Sequence, residues 1–432
     1  MTTTQQTFAA FSVPAYRLLW IGLTVNFAAL WVSFVVRGYL AFQLTESVTA
    51  LAGLQLSFGV PMLLFSLYGG MLADRLPRRR VLVVTMAVLS ASFAAQAAVV
   101  IVDVVEYWML FATGVVEGVV VAALFPTRMA VMAQLVDEDQ VGNAVALGQV
   151  SFNLARIVLP TVAGAMIAVE LVGVGGTMAL VAALYLSAAL VYGRLPPMRP
   201  DGARGPRVSP LTEIAEGMRY VRREPALMYV IALTLAVTST LMPYFGFIPA
   251  VVDDVFDGGS VKLGLMTSAI AVGALGASFV GARIAQHPGA LRARMFAAYG
   301  FASAMVAFAL APTYGIALAA GVALGAGEVS FISLNQSLST RLSAAEYRGR
   351  VQSILSLAFA AFGIISLPVG VAADLFGIRE TLLVQGLLGL VTISVAELYG
   401  RRIRAAESAR ATLELTARAD ALEDGLEDVT PI

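Results

Sequence analysis

Twelve long apolar runs dominate this chain and limit what it can fold into. Each run is close to the 20 or so residues that an α-helix needs to cross the hydrocarbon core of a bilayer. The runs cover residues 17–40, 51–73, 81–102, 108–129, 142–168, 171–192, 227–251, 261–285, 295–311, 314–338, 351–373 and 381–399. Porin-like barrels are excluded, because their strands are short and alternate in polarity. We therefore expect an all-α integral membrane protein with twelve transmembrane helices.

The composition excludes several classes of function. Only 13 % of the residues are charged and 59 % are hydrophobic, whereas soluble domains carry about 25 % charged residues. The chain has no cysteine and a single histidine, His287, which leaves little basis for a metal site or a catalytic triad. Its 28 basic and 28 acidic residues balance, so no net charge attracts nucleic acid. We expect no enzyme activity, cofactor or metal, and a lipid bilayer as the surrounding partner.

The positive charges predict the orientation in the membrane. If the amino terminus is cytoplasmic, all but four of the 28 basic residues fall on the inner side. The exceptions are Lys262 and Arg379 in outer loops, and Arg37 and Arg156 within spans. Cytoplasmic loops are enriched in Lys and Arg, so we predict a multi-pass protein of the cytoplasmic (inner) membrane with both termini inside. Residues 1–12 lack the features of a cleavable signal peptide, so the first run is expected to remain a span.

The spans fall into two groups of six around one polar interval. We predict an amino-terminal six-helix bundle over residues 1–192, a cytoplasmic linker over 193–226, a carboxy-terminal six-helix bundle over 227–400 and a cytoplasmic tail over 401–432. Within the linker, Ser209-Pro210 is a typical helix start, and apolar residues recur at helical spacing up to Val221. This pattern predicts either an amphipathic helix on the inner membrane surface or a plain linker helix.

Two pairs of residues indicate an internal repeat. Glu117 lies in the fourth span and Glu328 in the tenth, while Pro160 lies in the fifth and Pro368 in the eleventh. Both pairs are about 210 positions apart and occupy the same rank in each half. The two bundles are therefore expected to be pseudo-symmetric. Repeated bundles with a substrate site at their midplane interface are typical of secondary transporters.

The loop between the second and third spans carries the strongest local motif, Gly69-Gly70-Met71-Leu72-Ala73-Asp74-Arg75-Leu76-Pro77-Arg78-Arg79-Arg80. It resembles the G-x-x-x-D-R-x-x-R-R signature of the major facilitator superfamily, at the loop where that family carries it. Pro77 stands where the family often has Gly. Segments 125–128, 151–156 and 348–351 resemble the branch that contains the enterobactin exporter and related drug exporters. The resemblance covers nearly the whole chain and implies a monomeric transporter of small molecules.

The same resemblance assigns a gating role to this loop. It implies that Asp74 locks the cytoplasmic faces of the two bundles in the outward-facing state, with Arg128 as its candidate partner. The remaining residues of the predicted gate are Gly70, Arg75, Arg78 and Arg79. The alternative is that the arginines only fix the orientation of the chain.

Four ionisable residues are expected at bilayer depth, where a charge costs several kcal/mol and usually marks function. They are Arg37, Glu117, Arg156 and Glu328. In the resembled family the first, fourth, seventh and tenth spans line the central cavity, which would place Arg37 and both glutamates there. We predict that Glu328 and Glu117 couple proton entry to substrate exit, because a desolvated carboxyl group can carry a proton in one state and release it in another. The alternative is a structural pair, such as Glu117 with Arg37 or Arg156.

Further candidates carry no charge or lie at the bundle interface. Asn26, Tyr244 and Gln336 could offer hydrogen bonds to a substrate in the cavity. For interdomain packing the prediction names Arg156, Pro160 and Gly164, on the expectation that the fifth span meets the eleventh across the interface. The segment 159–164 partly resembles the fifth-helix motif that marks antiporters of the superfamily, which favours export.

The sequence as a whole predicts a proton-coupled exporter of amphiphilic small molecules, drugs or secondary metabolites, that works by alternating access. A dedicated exporter of a siderophore or another metabolite is the near alternative, and an importer or facilitator of the same fold is a weaker one. A membrane-embedded enzyme has no nucleophile motif to support it. A non-transporting sensor or scaffold would be favoured by loss of the Asp74 motif, which is present.

Overall fold

The computed structural model describes residues 9–198, 210–284 and 289–401, apart from some side chains at 67, 70–74, 139, 210–215, 281–283, 290–291, 345, 349, 352–353 and 356–362. The first half contains α1 Pro14–Thr45, α2 Val48–Arg75, α3 Arg78–Ile101, α4 Tyr107–Leu135, α5 Val141–Ala168 and α6 Gly173–Gly193. The linker contains α7 Pro210–Arg223. The second half contains α8 Pro225–Leu241, α9 Tyr244–Ala250, α10 Ser260–Ile284, α11 Ala290–Leu310, α12 Tyr314–Leu342, α13 Arg348–Phe376 and α14 Ile378–Arg401.

The described helices are those of a membrane protein. Eleven spans are long and apolar enough to cross a bilayer, with α8 and α9 counted as one span that ends at Val255. The twelfth is α13, which has 29 residues and an apolar described part over Gly363–Phe376. The described residues contain no strand. The prediction of an all-α membrane protein with twelve spanning helices is confirmed.

The seventh span is broken in its middle. Proline has no amide hydrogen and cannot continue the hydrogen-bond ladder of a helix. Accordingly, α8 ends at Leu241, and α9 begins directly after Pro243. The break places the ring of Tyr244 inside the protein, where its exposed fraction is 1 %.

Glycines set the packing inside each half. A Cβ atom on Gly118 of α4 would clash with the Phe58 carbonyl of α2, and one on Gly325 of α12 would clash with the Ile270 carbonyl of α10. Small residues allow the backbones of membrane helices to approach closely. The fourth and tenth spans thus pack in the same way in the two halves, as expected for pseudo-symmetric bundles.

The largest contacts between the two halves are made by two helix pairs, α5 with α10 and α2 with α13. In the first pair, Thr161 Oγ1 donates to Ser268 Oγ at 2.7 Å, and Gly164 lies against the Ser260 carbonyl. Pro160 is buried, and its carbonyl lies against Gly264. The expectation that the fifth span packs on the eleventh is wrong, because the fifth packs on the eighth. A repeat of six spans maps the contact between spans five and eight onto spans eleven and two, which is the second observed pair.

The linker helix α7 packs against the start of α13. Val221 is buried in a small cluster with Val351, and Glu216 Oε2 forms an ion pair with Arg350 Nη2 at 3.0 Å. Where its side chains are described, the apolar face of α7 therefore packs against the rest of the protein.

Candidate substrate and coupling site

A cavity of about 350 Å³ lies between the two halves. Its walls come from α1, α2, α4 and α5 of the first half and from α9 and α10 of the second. Five aromatic side chains line it: Trp31, Phe34, Phe58, Phe152 and Phe245. The rings of Phe34 and Phe245 stack across the halves with centroids 4.6 Å apart. A volume of this size and an apolar wall are typical of sites for small organic molecules.

An ion pair between α1 and α4 forms the charged part of this cavity wall. Arg37 Nη1 donates to Glu117 Oε2, and Arg37 Nη2 donates to the Leu110 carbonyl at 3.3 Å. The two side chains are only 9 % and 5 % exposed. Gly114 leaves the room that the pair needs, because a Cβ atom there would clash with Arg37 and Ser57. The two opposite charges compensate each other, which a buried charge requires.

A second carboxylate cluster joins the two halves. Tyr244 Oη donates to Glu328 Oε2 at 2.6 Å, and Arg156 Nη2 lies 3.6 Å from Glu328 Oε1. Glu328 and Tyr244 belong to the second half, whereas Arg156 belongs to α5 of the first. Its guanidinium carbon lies 5.5 Å from the centroid of the Trp31 ring and 5.7 Å from that of Phe245. Any change in the charge of Glu328 therefore changes an attraction between the halves.

A second cavity of about 310 Å³ lies within the first half, nearer the amino-terminal end of α1. Asn26 lines this cavity, together with Arg128 from α4. The guanidinium carbon of Arg128 lies 5.0 Å from the centroid of the Phe27 ring. Leu30 and Phe152 line both cavities. The two cavities therefore share an apolar wall.

The structure places the described arginines of the predicted gate within the first half. Arg78 Nη1 donates to Gln134 Oε1 at 2.9 Å, Arg79 Nη1 donates to the Leu195 carbonyl at 3.0 Å, and Arg75 is exposed. The side chains at Gly70 and Asp74 lie outside the described part of the structure. The gate therefore stays a prediction.

Gln336 does not reach either cavity, whereas its neighbour takes part in a buried polar cluster. Gln336 is exposed, and Asn335 accepts a hydrogen bond from Arg294 Nη1 at 3.2 Å and donates one to Thr234. Arg294 is fully buried. Asn335 follows Glu328 by seven positions and so lies on the same helix face. That spacing is the signal that could have identified Asn335.

A carboxylate that the sequence analysis missed links the halves at the end of the molecule where α2 begins. Asp374, near the end of α13, accepts from the Val48 amide at 2.6 Å, the Thr49 amide at 3.0 Å and Ser47 Oγ at 2.7 Å. These groups belong to the start of α2, whose first amides have no partner within their own helix. Asp374 thus caps a helix of the other half.

Solved structures of transporters share this fold. A bacterial homologue of the human lysosomal transporter Spinster, in an inward-facing and unoccupied conformation, matches with a TM-score of 0.69 at 14 % sequence identity. The match covers 90 % of this chain and 97 % of that one.

Two transporters are similar in sequence over most of the chain. The multidrug efflux pump Tap of Mycolicibacterium fortuitum is 28 % identical over 89 % of this chain and 96 % of its own. The staphyloferrin A transporter of Staphylococcus aureus is 23 % identical over 80 % of this chain and 86 % of its own. The sequence model of a family described as transmembrane secretion effector matches residues 5–426. The chain belongs to this family of the major facilitator superfamily and is a multi-pass membrane transporter, not an enzyme.

Proposed function

We propose that this transporter exports amphiphilic small molecules in exchange for protons, by alternating access between its two halves. The observation that carries the proposal is the cluster of Glu328, Tyr244 and Arg156, in which a buried carboxylate of one half attracts a largely buried cation of the other. The efflux pump among the relatives supports the direction of transport.

Protonation of Glu328 is the step that would link the proton to the movement. While the carboxylate is charged, it holds Arg156 across the interface and accepts the hydrogen bond from Tyr244. A proton removes the negative charge, so the attraction between the halves weakens and they can separate. Release of the proton on the other side restores the attraction. Glu117 can act as a second carrier, with Arg37 holding its ionised form.

The aromatic wall of the cavity between the halves supports an amphiphilic substrate. Trp31, Phe34 and Phe245 offer flat apolar faces, while Gln55 and the Arg37–Glu117 pair supply polar groups at the edge. Sites with few polar groups and broad apolar walls tolerate different shapes, because burial of apolar surface has no directional preference.

The described contacts between the halves support an inward-facing state with both termini in the cytoplasm. Asp374 holds the start of α2, and Gln43 Nε2 donates to Asp253 Oδ2 at 3.4 Å, both at the end that the positive charges place outside. The second cavity lies toward the opposite end. In this proposal the Asp74 loop closes the cytoplasmic side in the next state, in a monomer of the cytoplasmic membrane.

The test is uptake of acidic, neutral and basic fluorescent dyes into inverted membrane vesicles under an imposed pH gradient. We expect uptake that collapses with a protonophore and is lost in Glu328→Gln, with a smaller loss in Glu117→Gln. Glu170→Gln is the matched control, because Glu170 is an exposed carboxylate in a loop. Full gradient-driven uptake by Glu328→Gln would remove this residue from the coupling mechanism.

Export of one dedicated metabolite, such as a siderophore, is the second candidate, and the match to the staphyloferrin A transporter favours it. The same vesicle assay distinguishes the multidrug exporter from the dedicated exporter. A multidrug exporter takes up several unrelated dyes, whereas a dedicated exporter takes up none of them and accumulates a single metabolite of the host cell. An importer or facilitator of the same fold would show no uptake driven by the gradient.

A further inference from the structure

The second cavity contains a positive charge that nothing in the described structure neutralises. Arg128 is the one charged residue among the described residues that line it. Its Nε atom is buried and has no hydrogen-bond partner, and no described carboxylate forms an ion pair with it. Its guanidinium carbon lies 5.0 Å from the centroid of the Phe27 ring and 5.4 Å from that of Phe125.

The environment of Arg128 differs from those of Arg37 and Arg156, the two arginines predicted within spans. Arg37 is paired with Glu117 and Arg156 with Glu328. A buried guanidinium without a counter-ion is costly, because neither water nor an opposite charge replaces its hydration. Tyr192, whose hydroxyl is buried and also without a hydrogen-bond partner in the described structure, is uncharged and cannot neutralise Arg128.

The remaining walls of the cavity indicate what kind of anion would bind next to Arg128. Phe125, Phe152 and Tyr185 provide aromatic surface, and Asn26 and Gln149 provide amide groups. The volume of about 310 Å³ fits a small organic body. A guanidinium presents a planar fork of donors that matches the two oxygens of a carboxylate.

We propose that the second cavity binds amphiphilic carboxylic acids, with the carboxylate on Arg128 and the apolar body against the aromatic walls. The inference rests on the proposed export function and names its substrate class. Leu30 and Phe152 line both cavities. Such an acid therefore binds first at this site and then passes to the cavity between the halves. An arriving carboxylate would compete for Arg128 with Asp74, its predicted gate partner.

The test compares two fluorescent probes that differ by one charge, pyrenebutyrate and its methyl ester. Binding is measured with the full-length protein in dodecyl maltoside, whose uncharged head group offers no competing anion. We expect the acid to bind at least ten times more tightly than the ester. In Arg128→Gln the ratio of the two affinities falls to about one, and Arg128→Lys retains most of the preference. Arg17→Gln is the matched control, because Arg17 is an exposed arginine outside both cavities.

Equal affinities of acid and ester in the unchanged protein would overturn the inference, and this comparison needs no variant. An acid preference that survives in Arg128→Gln would overturn it as well. The other source of an anion is a lipid phosphate. If added phosphatidylglycerol abolishes the acid preference in the unchanged protein, the site belongs to lipid and the proposed substrate class is wrong.

The vesicle assay separates this inference from the proposed function. Gradient-driven dye uptake together with equal binding of acid and ester refutes only the substrate class. An acid preference that depends on Arg128, together with no gradient-driven uptake of pyrenebutyrate or any dye, refutes proton-coupled export and leaves the binding site standing.

Discussion

The contact between Asp374 and the start of α2 should control how readily the halves separate at that end of the protein. The carboxylate accepts two backbone amides and one hydroxyl from the other half. Asp374→Ala removes all three hydrogen bonds and the negative charge, whereas Asp374→Asn removes the charge and keeps a capping oxygen. The two variants thus separate the hydrogen bonds from the electrostatic attraction.

The expected magnitude follows from the energetics of helix capping. Loss of a capping side chain costs about 0.5–2 kcal/mol, and loss of a negative charge at a helix amino terminus costs about 0.3–1 kcal/mol. Asp374→Ala should therefore favour separation of the halves by about 1–3 kcal/mol, which shifts the ratio of open to closed molecules about 5- to 150-fold. Asp374→Asn should shift it by less than about fivefold, because Asn caps nearly as well as Asp.

The assay uses the absence of cysteine from the natural sequence. Leu44→Cys and Glu380→Cys place one spin label on each half at this end, both at exposed positions. Double electron–electron resonance then measures the fractions with short and long separations. Glu170→Ala is the control for loss of an exposed carboxylate. A ratio in Asp374→Ala within twofold of the unchanged protein would refute the reasoning, as would an equal shift in Asp374→Asn.

Three further predictions concern packing and buried charge. Gly118→Leu should lower the melting temperature in detergent, because the new side chain meets the Phe58 carbonyl and overpacking costs about 1–3 kcal/mol; an unchanged melting temperature would mean that α2 and α4 are not in contact. Glu117→Gln should lower the free energy of unfolding by about 3–5 kcal/mol, because it leaves Arg37 buried without a counter-ion. Adding Arg37→Gln should recover part of this loss. Additive losses in the double variant would contradict the pairing. Phe152→Ala should speed the collapse of a pH gradient across liposomes that contain the protein, since this ring is part of the wall between the cavities. Leu171→Ala, a change at an exposed loop residue, is the control. An equal rate of proton leak in the two variants would refute the prediction.

The spans could be predicted because the signal for each one is local. The length of an apolar run matches the thickness of the bilayer. The run at 171–192 accordingly corresponds closely to α6, Gly173–Gly193. The first run, at 17–40, is shorter than α1, Pro14–Thr45, because a helix continues past the hydrocarbon core once its backbone bonds are formed.

The partners within the site could not be predicted in the same way. The sequence identifies Glu117 and Glu328 as candidates from the cost of burying charge, and the structure supplies their partners, Arg37 and Arg156. These partners lie on other helices, so their pairing depends on how the helices rotate and pack. A rotation of one residue, about 100°, separates the exposed Gln336 from the buried Asn335. Contacts such as that of Asp374 with Val48, 326 positions away, have no local signal.

Leu30 and Phe152 form an apolar wall between the two cavities. This wall should limit the leak of ions through the protein. Water leaves narrow apolar constrictions. The resulting gap in a chain of water molecules stops the conduction of ions and protons. A bulky apolar molecule can displace these two side chains by rotamer changes, whereas a hydrated ion would have to shed its water. The wall would thus let cargo move between the cavities while the cell keeps its membrane voltage.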